Sequence, residues 1–116
     1  MGRKPARTTL EYLLGSRARA QVMRALFAGP HHRPWLREIC RHCGSVSAVR
    51  RELDYWRYVG LINPKREGGA VFYEVDFSHP LANPLRSLVA NAEAYDRYLD
   101  QWPPKLIVLK RTTPGP

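Results

Sequence analysis

The sequence predicts a mainly helical α+β domain with one small β-hairpin. Three observations lead there. Apolar residues recur at helical spacing in several separate stretches, one stretch alternates with a period of two, and Gly or Pro punctuates nearly every junction. The 116 residues, 44% hydrophobic, suit a single compact unit that needs neither disulfides nor a structural metal. Residues 1–8, basic and Pro-containing, read as a flexible arm. Leu10, Leu13 and Leu14 then form a short helical turn closed by Gly15, and Ser16 caps a second helix whose stripe is Ala20, Met23, Ala25, Leu26 and Phe27. That helix ends at Gly29-Pro30.

A polar loop containing His31 and His32 leads to an extended piece around Trp35. A helix is expected from Leu36 to Cys43, with Ile39, Cys40 and Cys43 inward and Arg37, Glu38, Arg41 and His42 outward. After the Gly44-Ser45 break, Ser47 is expected to cap a helix to about Val59, in which Val49, Leu53 and Trp56 share one face. Gly60 stands where a helix C-cap belongs. Leu61 to Glu67 and Ala70 to Phe77 read as strands joined by the two-residue turn Gly68-Gly69, with Val71, Tyr73, Val75 and Phe77 alternating with Phe72, Glu74 and Asp76. Asn83-Pro84 reads as an N-cap followed by proline at the first helical position. The long last helix carries Leu81, Leu85, Leu88, Val89, Ala92, Tyr95, Tyr98, Leu99 and Trp102, and Pro103-Pro104 stops it. The expected organisation is thus a core domain over 9–79, a C-terminal helix over 80–103, and a tail over 104–116. In that tail Lys105 to Lys110 forms a short strand or an apolar arm.

Charge is unevenly spread. The net charge is +9, yet residues 1–66 hold 14 basic and 4 acidic side chains, while residues 67–116 hold 5 and 6. One part of the domain is therefore expected to meet a polyanion, and the other to pair with a second subunit. Arg outnumbers Lys by 15 to 4, which favours phosphate and base-edge recognition by a planar fork. No apolar run reaches the roughly 18 residues of a membrane span, and no secretory apolar core follows the N-terminus, so a cytoplasmic protein is expected. Cys40 and Cys43, three residues apart in a helix, are poorly arranged for a disulfide and fit a reducing compartment.

The order helix, helix, short extended piece, helix, tight turn, helix, Gly-rich hairpin, long helix resembles the winged helix-turn-helix superfamily, in the manner of bacterial and archaeal MarR-like and ArsR-like transcriptional regulators. The residues that carry the resemblance are Leu14 to Arg19 with Leu26-Phe27, Leu36-Arg37-Glu38-Ile39 with Gly44, Val49 to Leu53, Val59 to Ile62, and the wing from Lys65 to Tyr73. They cover about residues 10 to 90. The turn Gly44 to Ser47 is about one residue shorter than usual for that superfamily. The resemblance implies a DNA-binding regulator, a repressor before an activator, that occupies a pseudo-palindromic operator as a homodimer.

A groove-reading helix keeps its apolar face on its own core and shows hydrogen-bonding side chains from its N-terminal half. With Val49, Leu53 and Trp56 inward, the candidates for double-stranded DNA are Ser45, Ser47, Ala48, Arg50, Arg51 and Tyr55, with Asp54 beside them. Arg50 and Arg51 suit guanine O6/N7, and Ser45 or Ser47 suits phosphate or base edges. Lys65 and Arg66 at the wing tip supply charge to the backbone or minor groove, and Gly68 and Gly69 permit the turn and a close approach. Arg37 and the arm residues Arg3, Lys4 and Arg7 are further phosphate candidates. Leu88, Ala92, Tyr95, Tyr98, Leu99 and Trp102 extend beyond what so small a domain covers, and pairing with the same helix of a second subunit buries them.

Competing readings exist. Cys40 and Cys43 with His31 and His32 suggest a metal sensor. Both cysteines occupy core-facing positions and no second closely spaced ligand pair accompanies them, so no metal or other cofactor is expected. His79 has no recognisable partners in the sequence, and no small-molecule effector pocket is legible. There is no Gly-rich phosphate loop, nucleophile elbow, HExxH or paired-carboxylate signature, so an enzyme is not expected. The reading from another class is a winged-helix module for protein–protein assembly, or for RNA or single-stranded DNA, with Tyr55, Trp56 and Tyr58 as the platform.

Overall fold

Short-range caps start the first helices where the sequence places them. The computed structural model describes residues 7–29, 33–41 and 45–101. Thr8 and Glu11 cap each other: the Glu11 amide donates to Thr8 Oγ1 (3.2 Å), and the Thr8 amide donates to Glu11 Oε1 (2.8 Å). They open α1 (Thr9–Leu14), which closes at Gly15. The Ser16 hydroxyl accepts from the Arg19 amide at 3.1 Å and opens α2 (Arg17–Leu26). Next come α3 (Leu36–Arg41), α4 (Val46–Tyr58), β1 (Ile62–Glu67), β2 (Ala70–Val75) and α5 (Ala82–Gln101). Among the described residues the fold is therefore α+β, five helices with one antiparallel hairpin. None of these helices is long and apolar enough to cross a membrane. The arm residues Arg3 and Lys4, the loop histidines His31 and His32, Cys43, Gly44, Trp102 and the tail 104–116 lie outside the described residues.

Two expected helix starts are corrected. α4 is capped by Ser45, not Ser47. Ser45 has extended backbone angles, and its Oγ accepts from the Ala48 amide at 3.2 Å. Ser47 thus belongs to the first turn of the helix. α5 begins at Ala82, so Asn83 is not its N-cap and Pro84 is not its first residue. The Leu85 amide already donates to Leu81 O at 3.0 Å. Pro84 is tolerated within the first turn because amides there have no partner inside the helix.

The end of α4 shows why Gly60 is needed. The Gly60 amide donates to Arg57 O (3.0 Å) and the Leu61 amide to Trp56 O (2.9 Å), the paired bonds that close a helix through a left-handed residue. Gly60 has φ +84°, and a side chain there would be strained. This closure aims the chain into β1. His79, which lacked partners in the sequence, also secures it: its Nε2 lies 3.0 Å from Val59 O, and its Nδ1 accepts from the Leu81 amide at 3.1 Å. The imidazole therefore ties the end of α4 to the turn before α5.

The hairpin pairs Ile62 with Val75 through Glu67 with Ala70, and Gly68 and Gly69 (φ +58° and +83°) make its two-residue turn. Trp35 forms an isolated antiparallel bridge to Phe72, and the Tyr73 amide donates to Pro34 O at 2.9 Å. The expected extended piece is thus a short third neighbour at the edge of β2. Leu10, Met23, Leu26, Ile39, Val49, Leu53, Leu61, Ile62 and Val89 form a core shared by α1 to α5 and β1. The acids of α5 are drawn inward as well. Arg24 pairs with Glu93 at 2.9 Å, and Asp96 accepts from Thr9 Oγ1 at 2.6 Å at the start of α1, where a helix favours negative charge.

Candidate nucleic-acid interface

α4 is amphipathic for a reason visible in its burial. Val49 and Leu53 are fully buried and Trp56 packs against the same core. At about 100° per residue the remaining positions fall on three strips. One strip, Ala48, Glu52 and Tyr55, turns toward α2. There Arg19 Nε and Nη2 donate to both oxygens of Glu52 (3.0 and 3.1 Å), and Trp56 Nε1 donates to Glu52 Oε1 at 3.4 Å. The Glu52 carboxylate, by hydrogen bond and charge, raises the Arg19 pKa further above its ordinary value. Tyr55 on this strip borders a groove of about 510 Å³ lined also by Leu14, Met23, Trp56 and Leu85. Of the two arginines with which the sequence grouped it, it neighbours Arg51, one turn earlier on the helix, and stands apart from Arg50.

The second strip, Arg50, Asp54 and Arg57, faces the hairpin. Burial pushes the Tyr73 phenol above its ordinary pKa, and the charges of Arg50 and Arg57 act against that shift while Asp54 and Cys40 reinforce it. The third strip, Ser47, Arg51 and Tyr58, points away from the core, and Tyr58 is 87% exposed. Among the described residues no ion pair engages Arg50, Arg51, Arg57, Lys65 or Arg66. Glu52, the acid next to Arg51, is spoken for by Arg19. The result is an exposed guanidinium face with one carboxylate, Asp54, between its arginines.

Residues paired across a hairpin share a face of the sheet. Pro64 and Tyr73, then Arg66 and Val71, lie on the face toward α4, whereas Lys65 and Phe72 lie on the opposite one. The two cations at the tip are thus on different sides. On the outer side Trp35 stacks on Phe72, Arg33 covers Phe72 at 5.2 Å, and Arg37 covers Trp35 at 5.2 Å. Arg37 therefore lies against an indole, and Arg7 is exposed at the start of the described chain. A Cβ on Gly68 or Gly69 would meet nothing within 4 Å of the chain itself, and their positive φ values suit the two-residue turn.

Arg33 also bridges Glu67 (2.9 Å) and Glu74 (3.3 Å), contacts that sequence spacing could not reveal because the partners are 34 and 41 residues away. The Arg33 hydrogen bond, then its charge, lowers the Glu67 pKa below the ordinary 4.5. The folded-state value lies below the unfolded one, so this contribution to stability is present above that range and lost as pH falls through it. An NMR titration of the Glu67 carboxyl is expected to give a midpoint below 4.5 that returns upward in Arg33→Ala. The same midpoint in both proteins would remove Arg33 as the cause.

No protein-family model matches the chain, and no curated protein or solved structure matches it significantly.

Cys40 is partly buried and packs against the core, and no cluster of three metal-ligating side chains occurs among the described residues. On α5, Ala92 is 4% exposed and belongs to the chain's own core, so it is not available to a partner as the sequence suggested. Leu88 packs partly against that core. Tyr95 and Tyr98 are 48% and 42% exposed, with ring centroids 6.3 Å apart. Leu99 is half-buried beside them.

Proposed function

We propose that the chain is a winged helix-turn-helix protein that binds double-stranded DNA as a homodimer and regulates transcription, by repression at a pseudo-palindromic operator. In this reading α3 and α4 are the helix-turn-helix pair, the exposed side of α4 enters the major groove, and the hairpin is the wing along the backbone. The observation that carries the reading is the unpaired guanidinium face of α4 beside the hairpin. A buried apolar strip holds the helix while its opposite side offers arginines to a polyanion. Nothing comparable exists on α5, where Glu93 and Asp96 are tied to α2 and α1. The exposed Tyr95 and Tyr98 support pairing of α5 with its copy, which sets two α4 helices about 34 Å apart, one DNA turn.

A second reading, single-stranded nucleic acid or a protein partner, draws on one observation: Tyr58 and Tyr55 are 87% and 55% exposed on the same helix. Fluorescence anisotropy on a random-sequence duplex, over a salt series and with single-stranded DNA and RNA competitors, separates the two. Duplex preference with a steep loss of affinity as salt rises is the expected result. Equal competition by single strands would favour the tyrosine platform, and weak binding to every nucleic acid would favour protein assembly.

A further inference from the structure

The junction of α1 and α2 gathers cations that neither the core nor the exposed side of α4 uses. A cavity of about 500 Å³ opens there, and Arg7, Glu11, Ser16, Arg17, Gln21 and Arg24 stand in its wall. No residue of α4 or the hairpin lines it. Arg17, Gln21 and Arg24 recur four and three residues apart, which sets them on one face of α2. Arg24 is fixed from two sides: Nη1 donates to Gln21 Oε1 at 3.0 Å, and Nε lies 2.9 Å from Glu93 Oε2 on α5. The Glu93 contact is one of charge alone, because the buried Nε makes no hydrogen bond. Arg17 is exposed, and its Nε lies 3.9 Å from Glu11 Oε2, too long for a hydrogen bond. The other Glu11 oxygen accepts from the Thr8 amide, so this acid serves the start of α1. Arg7 forms no ion pair among the described residues. With Glu11 in the wall and Glu93 beside Arg24, the three guanidinium groups keep a surplus of positive charge. At the open start of α2 the Arg17 and Ala18 amides have no partner inside the helix and add two donors.

We propose that this cavity binds a small phosphomonoester, its phosphate held by the Arg17 and Arg24 guanidinium groups and the open start of α2, with Arg7 as the third cation. Seven residues of helix separate Arg17 and Arg24 by about 10 Å, a span that two arginine side chains close around one anion. A phosphomonoester carries about two negative charges near neutral pH and three acceptor oxygens, so it draws on cations and donors from several directions at once. A carboxylate, with one charge and two oxygens, leaves part of this set unused. The phosphate occupies a small part of the volume, and Thr8, Ser16 and Gln21 give the rest a polar wall suited to a hydroxyl-bearing ligand. The site is independent of the DNA-binding reading, since it shares no residue with α4 or the hairpin.

The test is an amide NMR titration of the full chain with glycerol phosphate, inorganic phosphate and acetate, all at one ionic strength. Glycerol phosphate is expected to shift the Gly15, Arg17 and Ala18 amides saturably, inorganic phosphate to do so more weakly, and acetate to leave them in place. Arg17→Gln and Arg24→Gln should each weaken glycerol phosphate by about 10-fold. Glu11→Gln, which removes the carboxylate charge but keeps an acceptor for the Thr8 amide, should tighten it. Arg51→Ala, outside the cavity, should bind as the wild type does. Arg17 is exposed and forms no hydrogen bond through its side chain to Glu11, so its variant remains informative even where Arg24→Gln fails to fold. Shifts that grow linearly and equally with acetate would overturn the site, as would wild-type affinity in Arg17→Gln. A short DNA duplex that displaces glycerol phosphate from these amides would also overturn the assignment, by making the cavity part of a duplex contact.

Discussion

Leu53→Ala is expected to lower unfolding stability by about 2–5 kcal/mol, with Tm falling by on the order of 10–20 °C. Leu53 is 2% exposed and sits with Val49 on the strip that seats α4 against α2 and the first strand. Removing three carbons there leaves a void that close-packed neighbours cannot fill, so both transfer energy and packing are lost. Arg51→Ala, two residues earlier on the exposed side, should change stability by no more than about 0.5 kcal/mol. Urea unfolding of the two variants checks both statements. A loss below about 1 kcal/mol for Leu53→Ala would mean that α4 is not anchored by its apolar strip, and the presentation of Arg50 and Arg51 would then need another cause.

The contrast between those two residues also marks what the sequence makes legible. Periodicity identified the buried strip of α4, the hairpin around Gly68-Gly69 and the cap at Ser16 because each depends on residues within a few positions of one another. The element order follows from the same local signals. The start of α4 was misplaced because two capping residues stand close together, and only the bond that forms chooses between them. Ser45 and Ser47 are both good caps, and the Ala48 amide meets Ser45.

Other features depended on partners far away in the chain. Glu52 is 33 residues from Arg19, so the sequence could not show that this acid is occupied, leaving Arg50 and Arg51 without a carboxylate partner. His79 reaches back 20 residues to Val59 O, and Thr9 meets Asp96 across 87. The candidate site was half legible. Which side chains of α4 face outward follows from the buried strip alone, but their division into a hairpin side and a far side needs the hairpin docked beside the helix. The same holds for Lys65 and Arg66, adjacent cations that a strand sends to opposite faces.

The second large effect concerns the pairing of subunits. Tyr95→Asp with Tyr98→Asp is expected to convert the proposed dimer to a monomer and to weaken binding to a palindromic site by 10²- to 10⁴-fold, the usual gain from linking two binding units. On α5 the strip Ala82, Val89 and Ala92 is buried, and Leu88, Tyr95 and Leu99 run along its flank. Aspartate on the exposed tyrosines places like charges face to face across a two-fold axis, while the buried strip and its bonds to Thr9 and Arg24 are untouched. Circular dichroism should therefore report an unchanged fold, and affinity for a half-site duplex should stay within a few-fold of wild type. Sedimentation velocity gives the oligomeric state directly. A variant that sediments as the wild type does, with full affinity for the palindrome, would take these tyrosines out of the subunit contact; a wild-type protein that is itself monomeric would remove the dimer and leave each α4 to read its site alone.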